Sequence, residues 1–256
     1  MKITHVFKRC APLFGVVLFI SLNTSCSVAY RVLLGVNIHP DWIANEEIIK
    51  KAKHYGIPEN QMFVLKEQGI LDSIIVNSTN EVRERFADNE SLSKADSLTL
   101  EKIENQMNND IQPVQIRFFN ATGQPIFKLV NCYFSPIFPM NVNVEGCFNQ
   151  FPPTEINALK NQEDLHLEFF KPFIEPLTDQ ATKETEGVEY VGLVFWNNYM
   201  IKPSRKAVKE ILAYKERYKN SNVKLFFVNN HNAYLWLLAN KEAKAKRLAE
   251  KQKLPE

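Results

Sequence analysis

Thiols are the groups in this sequence with the clearest chemical potential. The 256 residues contain four cysteines, Cys10, Cys26, Cys132 and Cys147. A thiolate can serve as nucleophile, metal ligand or half of a disulfide, and spacing and surroundings decide which. Cys132 and Cys147 have neither the Cys-x-x-Cys spacing of a redox pair nor an obvious helix start to lower a thiol pKa. An oxidising compartment permits them to bridge, and closing a loop of about 15 residues is worth roughly 3 kcal/mol in the chain-entropy model. Spacing alone leaves that pairing open. His39, His54, His166 and His231 are scattered, with no His-x-x-x-His pattern. Glu163 and His166 have the Glu-x-x-His spacing of helical metal ligands, but no second such pair exists, so no metal site is expected. His39-Pro40-Asp41-Trp42 reads as a polar loop tethered by its tryptophan rather than a pocket wall. No serine stands in a nucleophile elbow, and eight glycines leave little room for a phosphate-cradling loop. No cofactor is called for.

The elements that would position these residues follow from periodicity and punctuation. Val32-Leu33-Leu34-Gly35-Val36 reads as a short buried strand. A helix follows, with Asn45 as cap, Glu46 and Glu47 at its positive end, Ile48, Ile49, Ala52 and Tyr55 as its stripe, and Gly56 as its stop. Met62–Leu65 is the next strand, which gives a β-α-β start. Leu92, Ala95, Thr99, Leu100, Ile103 and Met107 keep a helical period, and residues 108–112 form a loop. Val114–Phe119, a turn at Asn120–Gly123 and Pro125–Val130 predict a β-hairpin. Residues 133–153, rich in Pro, Phe and Asn, predict an irregular loop over apolar surface. A helix from Pro153 and Thr154 would carry Ile156, Leu159, Leu167 and Phe170, and 178–188 would be a charged connector. Tyr190–Trp196, a helix over Ser204–Tyr218 and Lys224–Val228 form a second strand–helix–strand. A final helix starts near His231 and then becomes charged, its lysines interspersed with Glu242 and Glu250 as on a solvated face. Strands alternating with helices, plus one hairpin, predict an α/β sandwich with a mixed sheet.

The first 25 residues have the parts of an export signal. Lys2, Lys8 and Arg9 precede the apolar run Ala11–Ile20, which is shorter than the roughly 20 residues of a spanning helix. Leu22-Asn23-Thr24-Ser25-Cys26 then resembles the lipobox of bacterial lipoproteins, with Leu22 one position further from the cysteine than usual. The resemblance implies cleavage before Cys26 and lipidation of its thiol, hence a protein anchored to a bacterial membrane and facing the periplasm or cell surface. A plain signal cut after Ser27-Val28-Ala29 is the rival reading. Loss of residues 1–25 removes three bases and no acid. Lys+Arg falls from 31 to 28 against 29 Asp+Glu, a net charge of about −1 with no nucleic-acid footprint. Residues 26–256 are expected to form one domain, in segments 30–110, 112–175 and 188–256.

The stretch from Val194 to Asn229 carries a second resemblance. Trp196-Asn197-Asn198-Tyr199-Met200-Ile201-Lys202-Pro203, between a strand and a helix, is similar to the core of thioredoxin-like proteins. In that family a strand ends in Trp-x-x-aromatic-Cys-x-x-Cys. Trp196 and Tyr199 match the aromatic positions, whereas Met200 and Pro203 stand where the cysteines belong. Thiol–disulfide exchange needs a thiolate, and neither methionine nor proline supplies one. The resemblance therefore implies a thioredoxin-like fold, rearranged or extended because the hairpin comes early, with no nucleophile at the helix tip. The expected function is binding or assembly at the envelope, with a protein or ligand partner that the sequence does not name. The alternative is an envelope thiol oxidoreductase using Cys132 and Cys147. A third reading, a small-molecule carrier, requires an apolar pocket beneath the loop at 133–151.

Overall fold

The central strands are apolar at nearly every position, so they need cover on both faces. In the computed structural model, which describes residues 35–37, 40–66, 69–70, 73–74, 94–134, 140–160 and 164–239, they receive it. Cys26, the leader, Cys10, His39, Glu163 and the basic residues beyond 240 lie outside the described residues. The strands are β1 (Met62–Leu65), β2 (Gln115–Asn120), β3 (Pro125–Val130), β4 (Ile174–Pro176), β5 (Tyr190–Trp196) and β6 (Val223–Asn229). They form one mixed sheet in the order β3-β2-β5-β6-β1-β4. β5, β6 and β1 are parallel neighbours, the β2–β3 hairpin adds to β5 antiparallel, and β4 adds to β1 antiparallel. This is a mixed α/β architecture, as the alternation of elements required.

Side-chain alternation divides the core. Ile116, Phe118, Phe127, Leu129, Val194, Trp196 and Phe227 face one side. There they meet α1 (Asn45–Tyr55) and α4 (Ile201–Arg217) through Ile48, Ala52, Tyr55, Ala207, Val208, Ile211 and Tyr214. Phe63, Phe119, Val191, Leu193, Phe195, Phe226 and Val228 face the other side. They are covered by α2 (Lys94–Asp110) through Met107, by α3 (Leu167–Phe170), and by the helix at 231–239 through Ala233 and Leu237. Among the described residues no helix is long and apolar enough to cross a membrane.

Local chemistry explains most boundaries. α1 stops at Gly56, whose φ of 83° lets its N–H reach Lys53 O at 3.0 Å while Ile57 N–H reaches Ala52 O at 3.1 Å. Asn45, expected as its cap, is instead its first residue, and Ala44 stands at the cap with no side-chain bond. α2 runs on to Asp110, so residues expected as loop form its last turn. Of the first expected strand, Val36 makes one bridge to Met200, and 31–34 lie outside the described residues.

The helix expected from Pro153 to Phe170 does not form. The described part of the segment holds a 3-10 turn at Asn157–Leu159 and the single turn of α3. Its four apolar positions serve opposite sides of the sheet: Ile156 and Leu159 join the α1/α4 side, Leu167 and Phe170 the other. One stripe on one helix cannot face both. Between them Asp164 is drawn in beside Lys128 and Arg117. β4 lies just before the region expected to be a connector and was not anticipated.

Candidate functional site

The carboxyl ends of β5 and β6 and the tip of α4 hold the residues picked out by the aromatic motif. Asn197 follows β5 with no exposed surface and organises this end of the sheet. Its amide nitrogen donates to Pro113 O (3.1 Å) and Asn230 Oδ1 (3.1 Å), and its Oδ1 accepts from Met200 N–H (2.7 Å). Its own N–H reaches Ser204 Oγ at 3.0 Å, and Asn230 Nδ2 donates to Pro113 O at 2.9 Å. The ends of β5 and β6, the approach to β2 and the first turn of α4 are thereby tied together.

Trp196 is buried on the α1/α4 side, its ring 5.5 Å from that of Tyr55 and edge-on to it. Tyr199 is half-buried, and its ring lies 5.7 Å from Tyr234. Met200 is half-buried and precedes α4, while Pro203 is the helix's buried third residue, where an absent N–H costs nothing. The tip is covered by the chain's own backbone: Ile201 N–H donates to Gly35 O (2.9 Å) and Asn37 N–H to Tyr199 O (2.7 Å). The approach is close. A Cβ on Gly35, whose φ is 63°, would stand 3.0 Å from Lys202 N.

Unsatisfied buried polar groups are rare in folded proteins, so their location is informative. Among the described residues six buried side-chain atoms have no hydrogen-bond partner, and four of them, Trp196 Nε1, Asn198 Oδ1, Asn229 Nδ2 and His231 Nδ1, sit at this end of the sheet, while Gln61 Oε1 and Asp164 Oδ1 lie elsewhere. A groove of about 710 Å³ opens beside Asn198, lined otherwise by Glu46, Glu47, Lys50, Lys51 and His54 of α1.

The remaining thiols are free. Cys132 follows β3 in a 3-10 turn and is exposed. Gln115 pairs with both Val130 and Phe195, which puts Cys132 at the same end of the sheet as Asn197. Cys147 is buried in the α1/α4 core, its Sγ 3.9 Å from Val142 O. Burial, with Glu210 nearby, pushes its thiol up to about 12. The bridge that the sequence permits is not formed: both thiols are free, Cys132 exposed and Cys147 buried. Native alkylation at neutral pH should mark Cys132 and spare Cys147 until denaturant is added. Mass mapping of the two peptides checks this, and equal labelling would contradict the burial.

In the loop at 133–151, Phe148 is buried in the α1/α4 core, 5.3 Å from both Phe127 and Tyr214 and edge-on to each. Among the described residues no three His, Cys, Asp or Glu side chains gather as metal ligands, and His166 only precedes α3.

The sequence reading missed a buried ionic group on the α2 side. Arg117 and Lys128 face each other across the hairpin with essentially no exposure. Asp110 Oδ1 lies 2.6 Å from Arg117 and 3.2 Å from Lys128. Asp164 contacts Lys128 and stands 3.9 Å from Arg117. Gln115 braces the set: its Oε1 accepts from Arg117 Nε (2.9 Å) and its Nε2 donates to Asp110 O (2.8 Å). Phe170 lies beneath the guanidinium at 5.1 Å. Paired cations in mid-strand were the available signal, because two buried positive charges need two acids.

Comparison with known proteins assigns no family: no family model matches the chain, and neither a curated protein nor a solved structure matches it.

Proposed function

We propose that this chain is an exported, lipid-anchored envelope protein whose thioredoxin-like domain is non-catalytic and acts by binding or in assembly. The fold reading is supported by β5, α4 and β6 lying beside an antiparallel hairpin. The hairpin precedes this unit in the chain instead of following it, so the order is rearranged relative to the family. The observation that carries the non-catalytic reading is the α4 tip. Met200 and Pro203 occupy the cysteine positions, and the backbone at 199–201 is paired with residues 35–37. A thioether cannot ionise, and the helix-tip N–H that would steady a thiolate already bonds Gly35 O. The oxidoreductase alternative has less support, with both thiols free, Cys147 buried and its thiol raised. Anchoring rests on Cys26 and the apolar leader, and two or three acyl chains at roughly 0.8 kcal/mol per buried methylene would hold the protein on a bilayer.

The test has two arms. Expressed in a bacterium, the full chain should incorporate labelled palmitate, and Cys26→Ala should abolish incorporation. In disulfide reduction and isomerisation assays the purified protein should match a protein-free control. Turnover that disappears in Cys132→Ser would overturn the non-catalytic reading, and label retained in Cys26→Ala would overturn the anchor.

A further inference from the structure

The ionic group beneath the hairpin is neutral and paired within itself, and Cys132 is a lone exposed thiol, so neither selects a ligand class. The outer surface of the α1/α4 layer carries more. α1 and α4 together hold nine lysines and arginines against four glutamates, a net charge of +5. The rest of residues 26–256 holds 19 bases against 25 acids, a net charge of −6. Charge is therefore divided between this layer and the remainder of the chain.

Position sharpens the count. Lys202, Arg205, Lys206 and Lys209 stand at i, i+3, i+4 and i+7 in α4, one row on the side away from buried Ala207, Val208 and Ile211. Arg205, Lys206 and Lys209 are exposed and form no ion pair among the described residues, whereas Glu210 is held by Arg217 at 3.1 Å. α1 adds Lys50 and Lys51. Lys51 Nζ lies 5.6 Å from the centre of the Tyr55 ring, and the charge of Arg205 reaches the Tyr55 hydroxyl, so the cations of the two helices adjoin. Glu46 and Glu47 offset part of this charge at the start of α1, where a helix favours acids. On the α2 side the exposed charges are Glu101, Lys102 and Glu104, and that surface has no such row.

A second observation is where the chain arrives. Gly35 packs on the first cation of the row: a Cβ there would stand 2.5 Å from Lys202 Cγ. Nine residue steps separate Gly35 from Cys26, a span of at most about 30 Å. The row from Lys202 to Lys209 is itself about 10 Å long. Acyl chains on Cys26 would therefore hold the row close to the bilayer surface. We propose that the α1/α4 face docks on anionic lipid headgroups, which turns the α2 side outward. The inference rests on the anchored reading above and adds the surface that the anchored domain presents to its membrane. Each lysine or arginine near an anionic surface favours contact by about 5-fold, and the attraction fades beyond a Debye length of about 10 Å.

Lysine footprinting reads the docking. The full chain, made in a bacterium, is added to preformed vesicles of phosphatidylethanolamine with phosphatidylglycerol, or of phosphatidylcholine alone. An amine-reactive ester then labels it, and peptide mass mapping gives the rate at each lysine. On the anionic vesicles Lys50, Lys206 and Lys209 should label at least about 5-fold more slowly than on phosphatidylcholine. Lys102 of α2, and Lys183 beside Lys171, should keep their rates. About 0.5 M salt should erase the difference. Lys206→Gln with Lys209→Gln, at two exposed helix positions, should lose the protection of Lys50, whereas Lys102→Gln with Lys183→Gln changes net charge equally and should keep it. Equal labelling on the two vesicles, protection that survives the salt, or equal loss in the two double variants would each overturn the docking face. Protection by duplex DNA without protection by anionic vesicles would assign the face to another polyanion and overturn the lipid reading. Palmitate incorporation separates the two conclusions. A chain without palmitate that is still protected on anionic vesicles loses the anchor and keeps the face, and a palmitate-labelled chain without protection keeps the anchor and loses the face.

Discussion

Lys128→Met will destabilise the protein by about 3–5 kcal/mol, the cost of breaking a buried ion pair from one side. Lys128 has no exposed surface and stands directly opposite Arg117 across the hairpin. Like charges so placed repel, and the arrangement survives because Asp110 and Asp164 fit between and beside them. Removing Lys128 leaves two buried carboxylates against one guanidinium. Asp164, 3.9 Å from Arg117 and with a side chain only 8% exposed, loses its near partner. The companion variant separates charge from size. Lys128→Met with Asp164→Leu removes a neutral pair and keeps the 2.6 Å contact of Arg117 with Asp110. It should recover more than half of the loss, because apolar replacement of a complete buried pair is often close to neutral. Urea unfolding of the variants decides the matter. A Lys128→Met cost under about 1 kcal/mol, or no recovery in the double variant, would show that the group is wetter than its burial implies.

Which elements were legible in the sequence follows from how each one buries its side chains. β5 could be read to the residue, β6 to within one residue at each end and α4 to within three at its start, because two apolar runs flank a helix whose stripe faces one way. The hairpin was equally clear from the turn at Asn120–Gly123 between alternating runs. β4 was not legible: Ile174-Glu175-Pro176 is three residues with one buried side chain, and only its pairing with β1 makes it a strand. The segment from Pro153 to Phe170 misled for the opposite reason, since its apolar spacing imitates a helix while its residues serve opposite sides of the sheet. At the candidate site the motif pointed to the right place but to the wrong chemistry-bearing residues. Trp196 and Pro203 turn out to be core, whereas Asn197, Asn230 and His231, which organise this end, come from separate strand ends with no spacing to mark them. Only the strand order brings them together.

Asn197→Ala is the substitution that tests that organisation, and it should cost about 3 kcal/mol or more. The side chain makes three hydrogen bonds, to Pro113 O, to Asn230 Oδ1 and from Met200 N–H. Each net bond is worth about 1 kcal/mol, but a buried group left without a partner costs roughly 1–3 kcal/mol, and the asymmetry decides the outcome. Pro113 O keeps the donor from Asn230, so it is spared. Met200 N–H and Asn230 Oδ1 are not: the first loses its bond at the step from β5 into α4, and the second loses its donor inside a residue 4% exposed. Ser204→Ala is the calibration. It deletes only the acceptor for Asn197 N–H and should cost about 1–2 kcal/mol. Thermal or urea unfolding should therefore rank Asn197→Ala above Ser204→Ala, and Met200 should lose amide protection in the first variant alone. If the two variants proved equal, the bonds at this end would be exchanging freely with solvent, and the joining of β2, β5 and β6 at the α4 tip would have to rest on side-chain burial instead.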